Sequence, residues 1–174
     1  ERTNAALMGR PTVMGERNTV TYGEGMRGMG VDVFIDLRNT SYTITAEVAV
    51  DAKGNGVIVC QGGDFGGWTF YLTGGKPAYT YNYVGIELYT IQSTQTVPAG
   101  KHTIKFDFNY EGGRGAGGSG IISLDGKKIG EGMIGKTNSN TFGIDESADV
   151  GEDQNTPVFL AYHGKEKFTG KIGK

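Results

Sequence analysis

The sequence predicts an all-β, antiparallel β-sandwich or jelly roll with little or no helix, and three observations carry that reading. Glycine fills 31 of 174 positions, about 18% against a usual ~7%. With only four prolines and no G-x-y period, this excess is not collagen-like. The glycines stand between β-branched and aromatic runs, as turns and bulges stand between strands. Finally, no segment sustains a 3.6-residue period, whereas roughly ten to twelve short runs of strand character follow one another at regular spacing.

The strongest of these runs lie between Val57 and Gln92. Val57–Cys60 is continuously apolar, and Gly62, Gly63, Gly66 and Gly67 turn the chain around Phe65. Trp68, Phe70 and Leu72 alternate with Thr69, Tyr71 and Thr73, which is strand periodicity. Gly74-Gly75 suits a two-residue hairpin turn whose central positions need positive φ. Tyr79, Tyr81 and Tyr83 then alternate with smaller or polar residues. This meander carries the only Trp and should supply much of the core.

The flanking chain is read in order. Residues 1–16 are an N-terminal arm or linker, and 17–174 a single sandwich domain. Asn18–Tyr22 and Val31–Leu37 are expected as short strands, with Gly23, Gly25, Gly28 and Gly30 between them. Tyr42, Ile44, Ala46, Val48 and Val50 alternate with polar or small residues in a half-buried strand. After the turn Pro98-Ala99-Gly100, His102, Ile104, Phe106 and Phe108 share a strand face. The glycine-rich stretch 111–120 is expected as a mobile loop. Asp125-Gly126 is the clearest hairpin signal. Thr156–Tyr162 and Phe168–Ile172 are expected as the last strands.

A net charge of −2 gives no reason to expect nucleic acid or a membrane as a partner. One cysteine, Cys60, excludes an internal disulfide. No apolar run reaches the ~18 residues of a membrane span, and the N-terminus carries no signal-peptide pattern. Glu1 suggests a mature form or an excised fragment.

Several stretches, in order, carry a resemblance: GVIVCQGGDFGGWTFYLTGGKPAYTYNYVGIELYTI, VPAGKHTIKFDFNYEGG, DGKKIGEG, DVGED, TPV and FTGKI. They resemble the C-terminal region of bacterial arylsulfatases of the type-I sulfatase family. The resemblance implies a concanavalin A-like, laminin-G-like sandwich that packs on a sulfatase catalytic domain in cis and shapes substrate access. It implies a parent that is a sulfuric ester hydrolase, exported to the periplasm or beyond. It also implies that Ca²⁺ and formylglycine belong to that other domain, so no cofactor is expected in this chain. The formylglycine signature C/S-x-P-x-R is absent: Cys60 is followed by Gln61-Gly62-Gly63-Asp64. No catalytic residue is assigned here.

Other candidates are weighed residue by residue. Cys60 lies in an apolar run without a basic neighbour and reads as a buried structural thiol. His102 reads as a packed or rim histidine, and His163 as a loop residue. Gly115-x-Gly117-x-x-Gly120 matches a dinucleotide fingerprint only formally, because it opens a strand and supplies no helix N-terminus. Asp145, Glu146, Asp149, Glu152 and Asp153 form an acidic loop without EF-hand spacing, read as solvated or as an interdomain contact against the alternative of a bound cation such as Ca²⁺, with no metal assigned. A sandwich glycosidase would need paired carboxylates on one strand, and Asp107 stands alone. The Tyr79, Tyr81, Tyr83 stripe reads as core, against the alternative of a sugar-stacking platform in a carbohydrate-binding module. Tyr71, Glu87 and Tyr89 are expected to face outward and are the candidate ligand-binding or interdomain residues.

Overall fold

The computed structural model describes residues 14–31, 33–140, 142, 147–154, 156–162 and 166–174. The arm at 1–13, Asp145, Glu146 and His163 lie outside the described residues. Among those described, the strands are β1 (Tyr42–Val50), β2 (Gly56–Gly63), β3 (Gly66–Thr73), β4 (Lys76–Tyr83), β5 (Glu87–Gln92), β6 (Gly100–Tyr110), β7 (Ala116–Leu124), β8 (Lys127–Lys136), β9 (Ala148–Val150) and β10 (Lys171–Ile172). They form two five-stranded sheets, β10-β1-β6-β7-β8 and β5-β4-β3-β2-β9. All their strand pairings are antiparallel.

The alternation read from the sequence sets the inner faces. Ala46, Val48 and Val50 of β1 and Ile104, Phe106 and Phe108 of β6 are buried against Trp68, Phe70, Leu72, Tyr79 and Tyr81 of the opposite sheet. Each such side chain stabilises the fold by roughly 1.5–3 kcal/mol through its removal from water. The sheets meet most closely where the Tyr79 ring stacks on Phe106, with centroids 3.8 Å apart and planes 8° apart. Tyr79 and Tyr42 share a hydroxyl–hydroxyl hydrogen bond of 2.5 Å across the same seam. Burial therefore holds both phenols well above their ordinary pKa. The Tyr79 and Tyr81 stripe is core, as its period indicates.

The turns follow their residues. Gly74 and Gly75 take φ of +56° and +79°, and Asp125-Gly126 +48° and +82°, the left-handed pair that a tight hairpin requires.

Expected and observed elements differ in three stretches of the chain. Asn18–Tyr22 and the described part of Val31–Leu37 are irregular chain, and Met29 alone bridges to Ala148 of β9. Positive φ at Gly25 and Gly28 breaks any longer pairing. Instead, Tyr22 stacks on Phe34 at 4.7 Å, the Ile35 amide donates to the Tyr22 hydroxyl at 2.8 Å, and Phe34 is buried beside Trp68. Thr156–Tyr162 is not a strand either and ends in a 3₁₀ turn, Leu160–Tyr162. Pro157 has no N–H with which to extend a ladder.

The third difference concerns 111–120. Only 111–115 lie outside a strand, and β7 begins at Ala116. Its glycines admit neighbours rather than confer mobility. A Cβ on Gly117 would stand 2.2 Å from the Ile134 carbonyl oxygen, and one on Gly120 would stand 2.5 Å from Ile91 and 2.7 Å from the Phe106 ring. Gly117→Ala should therefore lower stability in urea denaturation by about 3 kcal/mol or more, within the range of overpacked cores. Gly30→Ala, at a position where a Cβ meets nothing within 4 Å, should change it by under about 0.5 kcal/mol. Equal effects would contradict the packed reading of β7.

Candidate functional site

The three residues expected to face outward do not form one surface. Tyr71 does point away from the sandwich core, as alternation requires, yet it is only 3% exposed. The chain after β9 folds back over this face, so Tyr71 is buried with Val57, Cys60, Ala78, Val158 and Tyr162. Its ring meets Tyr162 edge-on at 5.3 Å. Glu87 and Tyr89 lie on the opposite, inward side: Tyr89 pairs with Tyr81, and Glu87 with Tyr83. Tyr89 leans on the core at the sheet edge and over Gly135. Its hydroxyl donates to the Glu87 carboxylate, and this bond above all pushes the Tyr89 pKa up to about 12. Lys136 stands 3.6 Å from Glu87 and faces the Tyr83 ring.

His102 is a rim histidine: Nδ1 lies 2.7 Å from Asp125 of the β7–β8 turn. Asp107 accepts from the Thr43 hydroxyl at 2.7 Å and pairs with Lys105 at 3.0 Å, a setting unlike the paired acids of a glycosidase.

The concentrated chemistry lies under the folded-back segment. Strand register aligns Asp149, Cys60, Thr69, Thr80 and Thr90 in one cross-strand row on the outer face of the β5-β4-β3-β2-β9 sheet. Cys60 is buried, as expected. The acidic loop is not simply solvated, because Asp149 is 1% and Asp153 8% exposed. Both carboxylates hold backbone amides of the segments that pack around them. Asp149 accepts from Gly28 at 2.7 Å and from Gln154 at 3.2 Å. Asp153 Oδ2 accepts from the Val158 amide at 2.9 Å and from the Tyr162 hydroxyl. Asp153 Oδ1 and Thr69 Oγ1 are buried with no hydrogen-bond partner among the described residues. Burial, with Asp149 nearby, raises the Asp153 pKa to about 6. Burial first, then Asp153 and Asp149, pushes the Cys60 thiol up as well, so it is not an activated nucleophile. The signals for this cluster were the unbroken apolar run through Cys60, typical of a strand covered on both faces, and the two aspartates flanking Gly151.

Two surfaces remain open. The β2–β3 and β4–β5 turns pack side by side, a Cβ on Gly85 lying 3.2 Å from the Asp64 carbonyl oxygen and one on Gly66 3.6 Å from Val84. Phe65 (73% exposed), Ile86 (76%), Leu88 (54%) and Val84 are all solvent-facing at this end of the sheet. Along one long side of the sandwich runs a groove of about 820 Å³, lined by the 17–22 and 34–37 segments and by β1, Ile58 and Trp68.

No protein-family model matches the chain, and the search of curated proteins gives no match. Among solved structures, domains LG4-5 of the mouse laminin alpha1 chain match with a TM-score of 0.58 and 14% identity over 80% of this chain. The fold is a laminin-G-like jelly-roll sandwich. The chain spans 35% of that laminin fragment. A native heptameric SAP-like pentraxin from Limulus polyphemus matches with a TM-score of 0.48 and 10% identity, over 78% of this chain and 61% of that one.

The buried clasp makes a direct prediction. Tyr162→Phe removes one of two donors from Asp153 and should lower stability by about 1–2 kcal/mol in urea denaturation. Unchanged stability would show that the Asp153–Tyr162 contact does not hold the segment down.

Proposed function

We propose that this chain is a non-catalytic accessory domain of an arylsulfatase-like enzyme, docking on the catalytic domain through the apolar end formed by Phe65, Val84, Ile86 and Leu88. The observation that carries the reading is this end. Three apolar side chains on two adjoining turns and Leu88 at the start of β5 are exposed together, while Trp68, Tyr79 and Tyr81 in the same sheet are buried. An exposed apolar cluster of this kind marks a contact surface. The sequence resemblance supplies the partner, a sulfatase domain in cis, and with it an exported parent.

The chemistry of the chain supports the non-catalytic part. Sulfate-ester cleavage in the resembled family requires formylglycine, a divalent cation and basic groups around the sulfate. Here the only thiol is buried with a raised pKa and lacks the modification motif. Trp68, Tyr71, Tyr79 and Tyr81, which could have stacked on a sugar, are buried. That weakens the carbohydrate-binding alternative, since a stacking platform must be open.

The test joins this chain to the reading frame upstream of Glu1. That frame should encode a domain bearing C/S-x-P-x-R, and the separately purified pieces should associate. Ile86→Ser with Leu88→Ser should weaken association at least about tenfold, a loss of about 1.4 kcal/mol, while leaving the fold intact. The chain alone should not hydrolyse a chromogenic aryl sulfate with or without Ca²⁺ or Mg²⁺. An upstream frame without a sulfatase domain, turnover lost in Cys60→Ala, or glycan-array binding with no association would each overturn the reading.

A further inference from the structure

We propose that Cys60, Asp149 and Asp153 form a site for one divalent cation of the zinc class, clamped between the outer face of the β5-β4-β3-β2-β9 sheet and the segment that folds over it. Each residue offers one ligand atom, a thiol sulfur or a carboxylate oxygen, and these three atoms all lie within 4.8 Å of one another. All three residues are buried. Tetrahedral zinc with one sulfur and several oxygen ligands places those atoms about 3.3–3.6 Å apart. Capturing an ion therefore needs a contraction of at most about 1.5 Å between any two of these atoms.

The independent observation is spare bonding capacity at the cluster. Asp153 spends Oδ2 on Val158 and Tyr162, yet its Oδ1 is buried without a hydrogen-bond partner among the described residues. Thr69, paired with Cys60 across β2 and β3, adds a second buried, unpartnered oxygen. A buried polar atom left unmatched is destabilising, and a bound cation would satisfy the Asp153 oxygen. The outer contacts are also those of a ligand shell. Gly28 and Gln154 amides orient Asp149, while Val158 and Tyr162 orient Asp153, as second partners do around metal ligands. Neither aspartate meets a cationic side chain in any of the ion pairs among the described residues. The cation would supply the missing positive charge.

The donor set decides the metal class. Ca²⁺ and Mg²⁺ take oxygen ligands, whereas a thiolate with carboxylates suits Zn²⁺ or its spectroscopic substitute Co²⁺. The ion would be structural. It would tie strand β2 to strand β9 and to the loop carrying Asp153, closing the outer face.

The test uses the whole chain, stripped with a chelator and refolded from denaturant with Zn²⁺ or Co²⁺ so that burial does not block entry. Native mass spectrometry should show one Zn²⁺ per chain. Co²⁺ should give a thiolate-to-cobalt charge-transfer band, which with a single cysteine in the chain can only arise at Cys60. Cys60→Ala, confirmed folded by circular dichroism, should lose the band and bind Zn²⁺ at least tenfold more weakly. Refolded wild-type protein that shows no such band, or Zn²⁺ binding of equal strength in Cys60→Ala, would overturn the proposal. The wild-type band decides the matter even if the variant does not fold.

Discussion

One sheet of this sandwich is buried on both faces, and the rest of the structure is arranged around that constraint. Every residue of β2 is buried, as are seven of eight in β3 and six of eight in β4. The inner face meets the aromatic seam of Tyr79, Phe106, Trp68 and Phe70. The outer face carries a second, smaller hydrophobic cluster of Val57, Cys60, Tyr71 and Ala78 beside the buried hydroxyls of Thr69 and Thr80. The chain closes this face with a cover that is itself mixed. Val158 and Tyr162 supply apolar area, while Asp149 and Asp153 hold backbone amides of the segments that pack around them.

The other sheet behaves differently. In β1 and β6 buried and exposed positions alternate, so its outer face is an ordinary wetted surface with Thr43, Lys105 and Asp107 bonded to one another. The asymmetry bears on function. The outer face of β2–β4 is occupied by the chain's own segment, so that face is not open to a sugar. At the end of the sheet, around the two turns, Phe65, Val84, Ile86 and Leu88 stand exposed together.

The strands were legible where side-chain alternation meets one buried face, as at Tyr42–Val50, Trp68–Leu72, Tyr79–Tyr83 and His102–Phe108. The hairpins at Gly74-Gly75 and Asp125-Gly126 were legible from turn chemistry. The failures share a cause: partners remote in sequence decide the outcome. Gly117, Gly118 and Gly120 look like loop composition until β6, β8 and Ile91 close in on them. Asp149 and Asp153 look like solvated acids until the chain passes over Cys60. Tyr71 was assigned to the correct face, but alternation does not reveal what covers a face. For Glu87 and Tyr89, the short β5 gave too little pattern to fix the phase, and pairing with Tyr83 and Tyr81 turned them inward.

The doubly covered sheet can be tested at its single thiol. Native, metal-free protein should be mixed with a chromogenic disulfide reagent and labelling of Cys60 followed over time. A closed outer face predicts that labelling is slow, rises with urea in step with unfolding, and reaches one thiol per chain only when the protein is denatured. Rapid stoichiometric labelling of the folded protein would mean that the segment does not seal the sheet, and would return the outer face to the list of surfaces open to a ligand.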